Sequence, residues 1–308
     1  MAAERFDLFM AKANAAYYGA QEFAHDFATA PEMTQVFGEL LGAWAQTAWR
    51  MMGAPEDAIL VEAGPGRGTL MADALRTWPD PPPVYFLETS AKLRDETRRR
   101  VPQARFIYDL IDLPEKPTIL LGNEFLDALP VRQFVKRRDG WMERWVDQGA
   151  YIERPVDVML PDDRVGSVRE LNEAAFSFCA ELSRREAIAL FIDYGPMNSA
   201  PGESVQAIRH GRPADPLAFP GEADITAHVD FAEIKRRFHA QGPVKMNAFL
   251  TALGLFQRTD ALALTNPEAA GELRAAARRL TAPEAMGSLF KVIALCPKDF
   301  PALPGFEE

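Results

Sequence analysis

Cysteine is nearly absent. Cys179 and Cys296 are the only two in 308 residues, too few and too far apart for a metal knuckle or a disulfide framework. The four histidines, His25, His210, His228 and His239, show no ligand spacing such as H-x-x-x-H, so no histidine-built zinc site and no metal is expected. No stretch approaches the roughly 18 consecutive apolar residues of a membrane span. Residues 1–20 mix charges and lack the apolar centre of a secretory signal. Basic residues are in deficit, 34 Lys and Arg against 44 Asp and Glu, for a formal charge of −10. A binder that tracks nucleic-acid phosphates needs the opposite balance. These deficits lead to the expectation of a soluble, cytoplasmic protein with no nucleic-acid partner.

What is present is an alternating rhythm of strands and helices. Thr29-Ala30-Pro31-Glu32 reads as a capping box that opens a helix reaching about Trp49, with Phe37, Leu40, Leu41 and Trp44 at helical spacing on its buried face. Apolar runs at 58–61, 84–87, 104–108 and 118–121 read as strands, and three of them close on polar residues: Glu62, Glu88 and Asn123-Glu124. The run at 187–192 is apolar throughout, as a strand buried on both faces would be, and ends at Asp193-Tyr194-Gly195. Another strand is expected at 289–295. The pattern predicts an α/β fold: a Rossmann-like, mostly parallel twisted sheet flanked by helices, with an inserted hairpin and helical lobe.

The insertion begins after Pro130, where Arg138-Asp139-Gly140 between two strand-like runs signals a hairpin. A helix is expected from about Val168, a long loop over 199–219, helices at 230–240 and 267–280, and a frayed tail over 301–308. The expected division is an N-terminal helical segment (1–57) covering the cofactor site, a core (58–130 and 187–296), a hairpin and helical substrate lobe (131–186) and a tail (297–308).

The first strand leads into Gly64-Pro65-Gly66-Arg67-Gly68 and then a helix. Glycines at such a turn let a ligand approach the backbone. The dinucleotide fingerprint G-x-G-x-x-G wants a third glycine where Thr69 stands. The spacing here, with Glu62 two residues before the first glycine, matches the E/D-x-G-x-G-x-G pattern of nucleoside-binding methyltransferases. Glu88, 26 positions after Glu62 at the next strand end, suits the two ribose hydroxyls. An NAD-dependent oxidoreductase stays open as the less favoured reading.

A wider set of motifs bears on the choice. Asp26-Phe27-Ala28-Thr29-Ala30-Pro31-Glu32, Val61-Glu62-Ala63-Gly64-Pro65-Gly66-Arg67-Gly68-Thr69-Leu70-Met71, Leu87-Glu88-Thr89-Ser90, Gly122-Asn123-Glu124-Phe125-Leu126-Asp127-Ala128-Leu129-Pro130-Val131, Ile192-Asp193-Tyr194-Gly195, Asp224-Ile225-Thr226-Ala227-His228 and Met286-Gly287-Ser288-Leu289-Phe290-Lys291 follow in order. Together they resemble the MidA-like family of class I S-adenosylmethionine-dependent methyltransferases, which includes a mitochondrial assembly factor of respiratory complex I. His25 and Met246 stand where that family usually has glycine and glutamine.

The resemblance implies S-adenosylmethionine as cofactor and a protein substrate, an arginine of a complex I subunit. On that reading Glu62, Gly64, Gly66 and Gly68 hold the methionine half, Glu88 the ribose, and Asp109 the adenine amino group. Asn123, Glu124 and Asp127 are the catalytic candidates, because paired carboxylates suit a guanidinium. Asp26, Thr29, Asp193, Tyr194 and His228 are candidates for the substrate pocket. A non-catalytic assembly or scaffold factor that keeps the fold is the alternative.

Overall fold

The structure is a computed structural model that describes residues 3–20 and 29–307; Asp26 and His25 lie outside the described residues. The chain divides into two compact units. The larger comprises Ala28–Phe125, Phe178–Gly195 and Ala232–Glu308, and the smaller Met1–Phe27, Leu126–Ser177 and Pro196–Phe231.

In the larger unit seven strands form one sheet: β1 (Ile59–Ala63), β2 (Val84–Leu87), β3 (Arg105–Ile107), β4 (Thr118–Asn123), β5 (Ala187–Tyr194), β6 (Ala240–Lys245) and β7 (Phe290–Leu295). Their order across the sheet is β6-β7-β5-β4-β1-β2-β3. Strands β1 to β5 pair in parallel, while β7 runs antiparallel to both β5 and β6. β1 is buried along its whole length and β5 along all but its last residue, which is why both read as near-continuous apolar runs.

Strand order reverses between β1 and β4. From β1 the chain proceeds to β2 and β3, then returns to the other side at β4, and that reversal is where open α/β sheets bind ligands. Ala63 pairs with Leu87 on one side and Gly122 on the other, so three strand ends meet there. Gly122 has to be glycine: a Cβ would lie 2.7 Å from the Phe191 ring.

Several expectations are corrected. The helix expected from Thr29 is two helices, Ala30–Met33 and Gln35–Met51; Thr29 makes no side-chain cap, and the hydroxyl of Thr34 accepts the Val36 N–H instead. Val168–Leu171 is a strand and the helix begins at Glu173, because Val168 to Leu171 pair with Val135 to Arg132. Residues 240–245 form the edge strand β6, with a register shift between Gln241 and Val244 that accommodates Gly242 and Pro243. The tail is packed rather than frayed. Leu303 is fully buried, the Phe306 ring lies 5.4 Å from that of Phe249, and the Trp44 indole donates to the Pro304 carbonyl at 3.1 Å.

The smaller unit holds the hairpin strands Arg132–Arg137 and Gly140–Asp147, joined at Arg137 and Gly140 as the Asp-Gly turn predicts. Its helix Phe6–Ala20 buries Phe6, Met10 and Ala13 against Val131, Val146 and Ile225. Residues 1–57 are therefore shared between the units instead of forming one segment. The expected loop at 199–219 contributes strands Gln206–Arg209 and Arg212–Ala214; the first pairs with the second on one side and with Asp224–Thr226 on the other. Among the described residues no helix is long and apolar enough to cross a membrane.

Candidate active site

The glycine turn leaves the end of β1 with Gly64, Gly66 and Gly68 all at positive φ, 64°, 52° and 76°. The three are glycine for different reasons. A Cβ on Gly64 would sit 3.0 Å from the Phe125 ring, and one on Gly68 would sit 2.8 Å from Thr97 Cγ2, whereas one on Gly66 would have nothing within 4 Å. The outer two are packing glycines, and the middle one borders open space. The Thr97 hydroxyl donates to the Gly66 carbonyl at 2.8 Å and fixes the turn from the helix Ala91–Arg100.

Glu62 is only 3% exposed. One oxygen accepts the Met71 N–H, and burial pushes its carboxyl well above the usual carboxylate range. Oε2 is buried with no hydrogen-bond partner among the described residues. A buried polar atom left unmet in this way is costly unless something else supplies the bond.

Glu88, just past the end of β2, is 8% exposed. Oε1 accepts the Ser90 N–H at 2.7 Å. Burial pushes its carboxyl above the usual carboxylate range, opposed by the Ser90 and Thr89 N–H groups and by the Arg94 guanidinium. That guanidinium lies over the Tyr108 ring at 4.4 Å, a residue the sequence reading passed over. Asp109 is exposed and caps the short turn Leu110–Asp112, its Oδ1 accepting the Ile111 N–H at 3.2 Å.

At the end of β4, Asn123 donates through its amide to Glu124 Oε1 at 3.2 Å, and Asn123 Oδ1 is buried without a partner among the described residues. Glu124 has φ of 50°, a left-handed conformation that is rare for a side chain of its size and clusters at functional sites. Two bonds to β5 hold it there: Glu124 N–H to the Ile192 carbonyl at 2.9 Å and Phe125 N–H to Asp193 Oδ2 at 3.2 Å. Asp193, 1% exposed, thus anchors the turn. Tyr194 packs edge-on against Phe290, with ring centroids 5.6 Å apart.

The larger unit thus places Glu62, the three glycines, Glu88, Asn123, Glu124 and Asp193 at the carboxyl ends of β1, β2, β4 and β5. Thr29 stands in the same unit, before the helix Ala30–Met33. Met246 is fully buried in this unit's core.

Asp127 and His228 belong to the smaller unit. There the Asp127 carbonyl accepts the Ala227 N–H, and the His228 N–H donates to the Ser204 hydroxyl at 2.9 Å. Tyr18, also missed in the sequence, donates to Asp224 Oδ1 at 2.7 Å; burial, Asp224 and Asp127 push its ionisation well above that of a free phenol. Asn14 ties the same region together, bonding Ile225 in both directions and the Ala128 carbonyl.

Residues 40–249 match the family model of S-adenosyl-L-methionine-dependent methyltransferases. The chain belongs to that family. It is 30% identical over 325 residues to the mitochondrial protein arginine methyltransferase NDUFAF7 of Homo sapiens, covering 88% of this chain and 74% of that protein; the Mus musculus counterpart is 32% identical with the same coverage.

Two crystal structures from Burkholderia thailandensis are similar at 26% identity. One has a TM-score of 0.87 and covers 99% of this chain and 90% of that one. The other, bound to S-adenosyl-homocysteine, has a TM-score of 0.83 and covers 99% and 89%. The methyltransferase family, its Rossmann-like fold and its S-adenosylmethionine cofactor follow, and the oxidoreductase alternative falls. The residues fit such a ligand: Gly66 leaves the turn open, and Glu62 Oε2 is a buried acceptor with no partner among the described residues.

The cytoplasmic expectation does not stand, because the curated relatives are mitochondrial proteins. Scarce cysteine and the lack of long apolar runs fit any reducing aqueous compartment and do not select one.

Proposed function

We propose that this methyltransferase acts on the guanidinium of an arginine in a protein, with a subunit of respiratory complex I as the first acceptor to test. The observation that carries the reading is the Asn123–Glu124 turn. A left-handed carboxylate-bearing residue is held by two bonds to β5, beside an amide oxygen that accepts nothing among the described residues. A guanidinium is planar, carries five donors and is best met by paired acceptors at fixed angles. The curated relatives named as protein arginine methyltransferases support the same acceptor.

On this reading Glu62, Gly64, Gly66 and Gly68 hold the methionine half of the cofactor and Glu88 the ribose hydroxyls, with the second oxygen of Asp109 for the adenine amino group. When bound, S-adenosylmethionine supplies an electrophilic methyl group on a sulfonium. The task of the protein is positioning. Glu124 accepts charge-assisted hydrogen bonds from the guanidinium, Asn123 Oδ1 accepts a further one, and Asp193 keeps the turn from relaxing. The carboxylate of Glu124 also fixes which nitrogen is presented and accepts the proton that nitrogen loses as it gains the methyl group. Thr29 is proposed for the acceptor side as well.

Radiolabelled methyl transfer into a cell extract, followed by mass spectrometry of the labelled residue, tests this. The wild type is expected to label arginine. Glu124→Gln is expected to label at least about tenfold less, the equivalent of about 1.4 kcal/mol, while binding S-adenosylhomocysteine as well as the wild type. Equal labelling by the variant removes Glu124 from the acceptor site, and label on another residue type overturns the arginine reading.

A further inference from the structure

Glu62 is an enclosed acid of the cofactor region, and it has no ionic partner among the described residues. Its neighbours across the sheet are Phe86 on β2 and Leu121 on β4. The helix Thr69–Ala74 brings it only the Met71 N–H. The nearby charged groups answer to one another. Asp73 is governed by burial, Arg76, Glu39 and Arg100. Glu39 is paired with Arg258 at 2.7 Å, and Glu88 faces Arg94. None of them acts on Glu62. A carboxylate in this place would be a buried charge with one hydrogen bond and no counter-ion, which is strongly disfavoured. Yet its Oε2 has no hydrogen-bond partner among the described residues, two residues before the glycine turn.

We propose that Glu62 is a neutral acid in the ligand-free protein and ionises when the ammonium of the cofactor's amino-acid end arrives, so that binding releases one proton to solvent. The balance is simple. The carboxylic acid and the ammonium become a carboxylate–ammonium pair, and the proton lost is the one from Glu62. The ammonium supplies both the missing donor and the missing counter-charge. The trigger is therefore the amino-acid end and not the sulfonium, and donor and demethylated product release the proton alike.

This inference rests on the placement of the methionine half at Glu62, and calorimetry separates the two. Titrations at pH 6.5, where an α-amino group of pKa about 7.7–8.0 is charged, are run in buffers of differing ionisation enthalpy. The slope of the observed enthalpy then counts protons.

S-adenosylmethionine and S-adenosylhomocysteine are each expected to release close to one proton. 5′-Methylthioadenosine, which lacks the amino-acid end, is expected to bind with none released. Glu62→Gln keeps an acceptor for Met71 but cannot ionise, and is expected to bind S-adenosylhomocysteine more weakly with no proton released. Affinity of the wild type is expected to tighten about tenfold per pH unit until Glu62 ionises unaided, and that of Glu62→Gln to stay flat. A zero slope in a wild type that binds overturns the proposal. So does release with S-adenosylmethionine but not with S-adenosylhomocysteine, or release that persists in Glu62→Gln. Binding of S-adenosylhomocysteine by Glu62→Gln as tight as the wild type's overturns the cofactor placement instead.

Discussion

At the scale of single residues, the two strand-end glutamates are not alike, and their variants separate folding from binding. Glu88 accepts the Ser90 N–H and is the residue proposed for the ribose, so Glu88→Ala removes both functions. Glu88→Gln keeps the cap and removes the charge. Charge-assisted hydrogen bonds are worth about 1.5–3 kcal/mol, so calorimetry is expected to show at least about tenfold weaker S-adenosylhomocysteine binding in both variants. The thermal midpoint of the ligand-free protein is expected to fall in Glu88→Ala only. Glu62 reports through pH instead. Burial pushes its carboxyl in the folded state well above the usual carboxylate range, so the native state holds more protons than the unfolded one above the ordinary glutamate range. Its contribution is complete at low pH and is lost as pH rises through the folded value. Thermal midpoints followed from pH 5 upward are expected to decline more steeply in the wild type than in Glu62→Gln.

Among the secondary-structure elements, the glycine turn offers the sharpest contrast. A Cβ at left-handed φ costs about 1–2 kcal/mol. Gly66→Ala is expected to lose about that much in urea unfolding, since no atom lies within 4 Å of the added methyl. Gly68→Ala is expected to lose more, because it also meets Thr97. Binding is expected to follow the reverse order, with Gly66→Ala the poorer binder; normal binding by Gly66→Ala would move the ligand away from that glycine.

The elements legible in the sequence were those written locally. Strands β1, β2, β4 and β5 are short apolar runs closed by Glu62, Glu88, Asn123 and Asp193, and the hairpin is announced by Asp139-Gly140. The elements that were not legible depend on distant partners. β6 carries Gly242 and Pro243, which read as a stop and become a strand only because β7 pairs with it. The strands at 206–226 lie in a Pro- and Gly-rich stretch and exist through pairing with one another. The left-handed Glu124 has no local signal at all, since its conformation is imposed by Ile192 and Asp193.

For the molecule as a whole, ligand binding to the native state alone adds about 2.7 kcal/mol at a hundredfold excess over Kd. S-adenosylhomocysteine is therefore expected to raise the calorimetric unfolding temperature of the larger unit, and NAD to leave it unchanged. The packed segment after β7 has a consequence for how this unit is made. Trp44 and the Pro304 carbonyl it bonds are 260 residues apart in the chain, and Leu303 and Phe306 fill the same core. A nascent chain can therefore carry every residue of the glycine turn and of the Asn123–Glu124 turn and still have one wall of its core missing. Until residue 306 leaves the ribosome, Trp44 lacks the Pro304 carbonyl and Phe249 lacks the Phe306 ring, and apolar surface left open in this way is what chaperones engage.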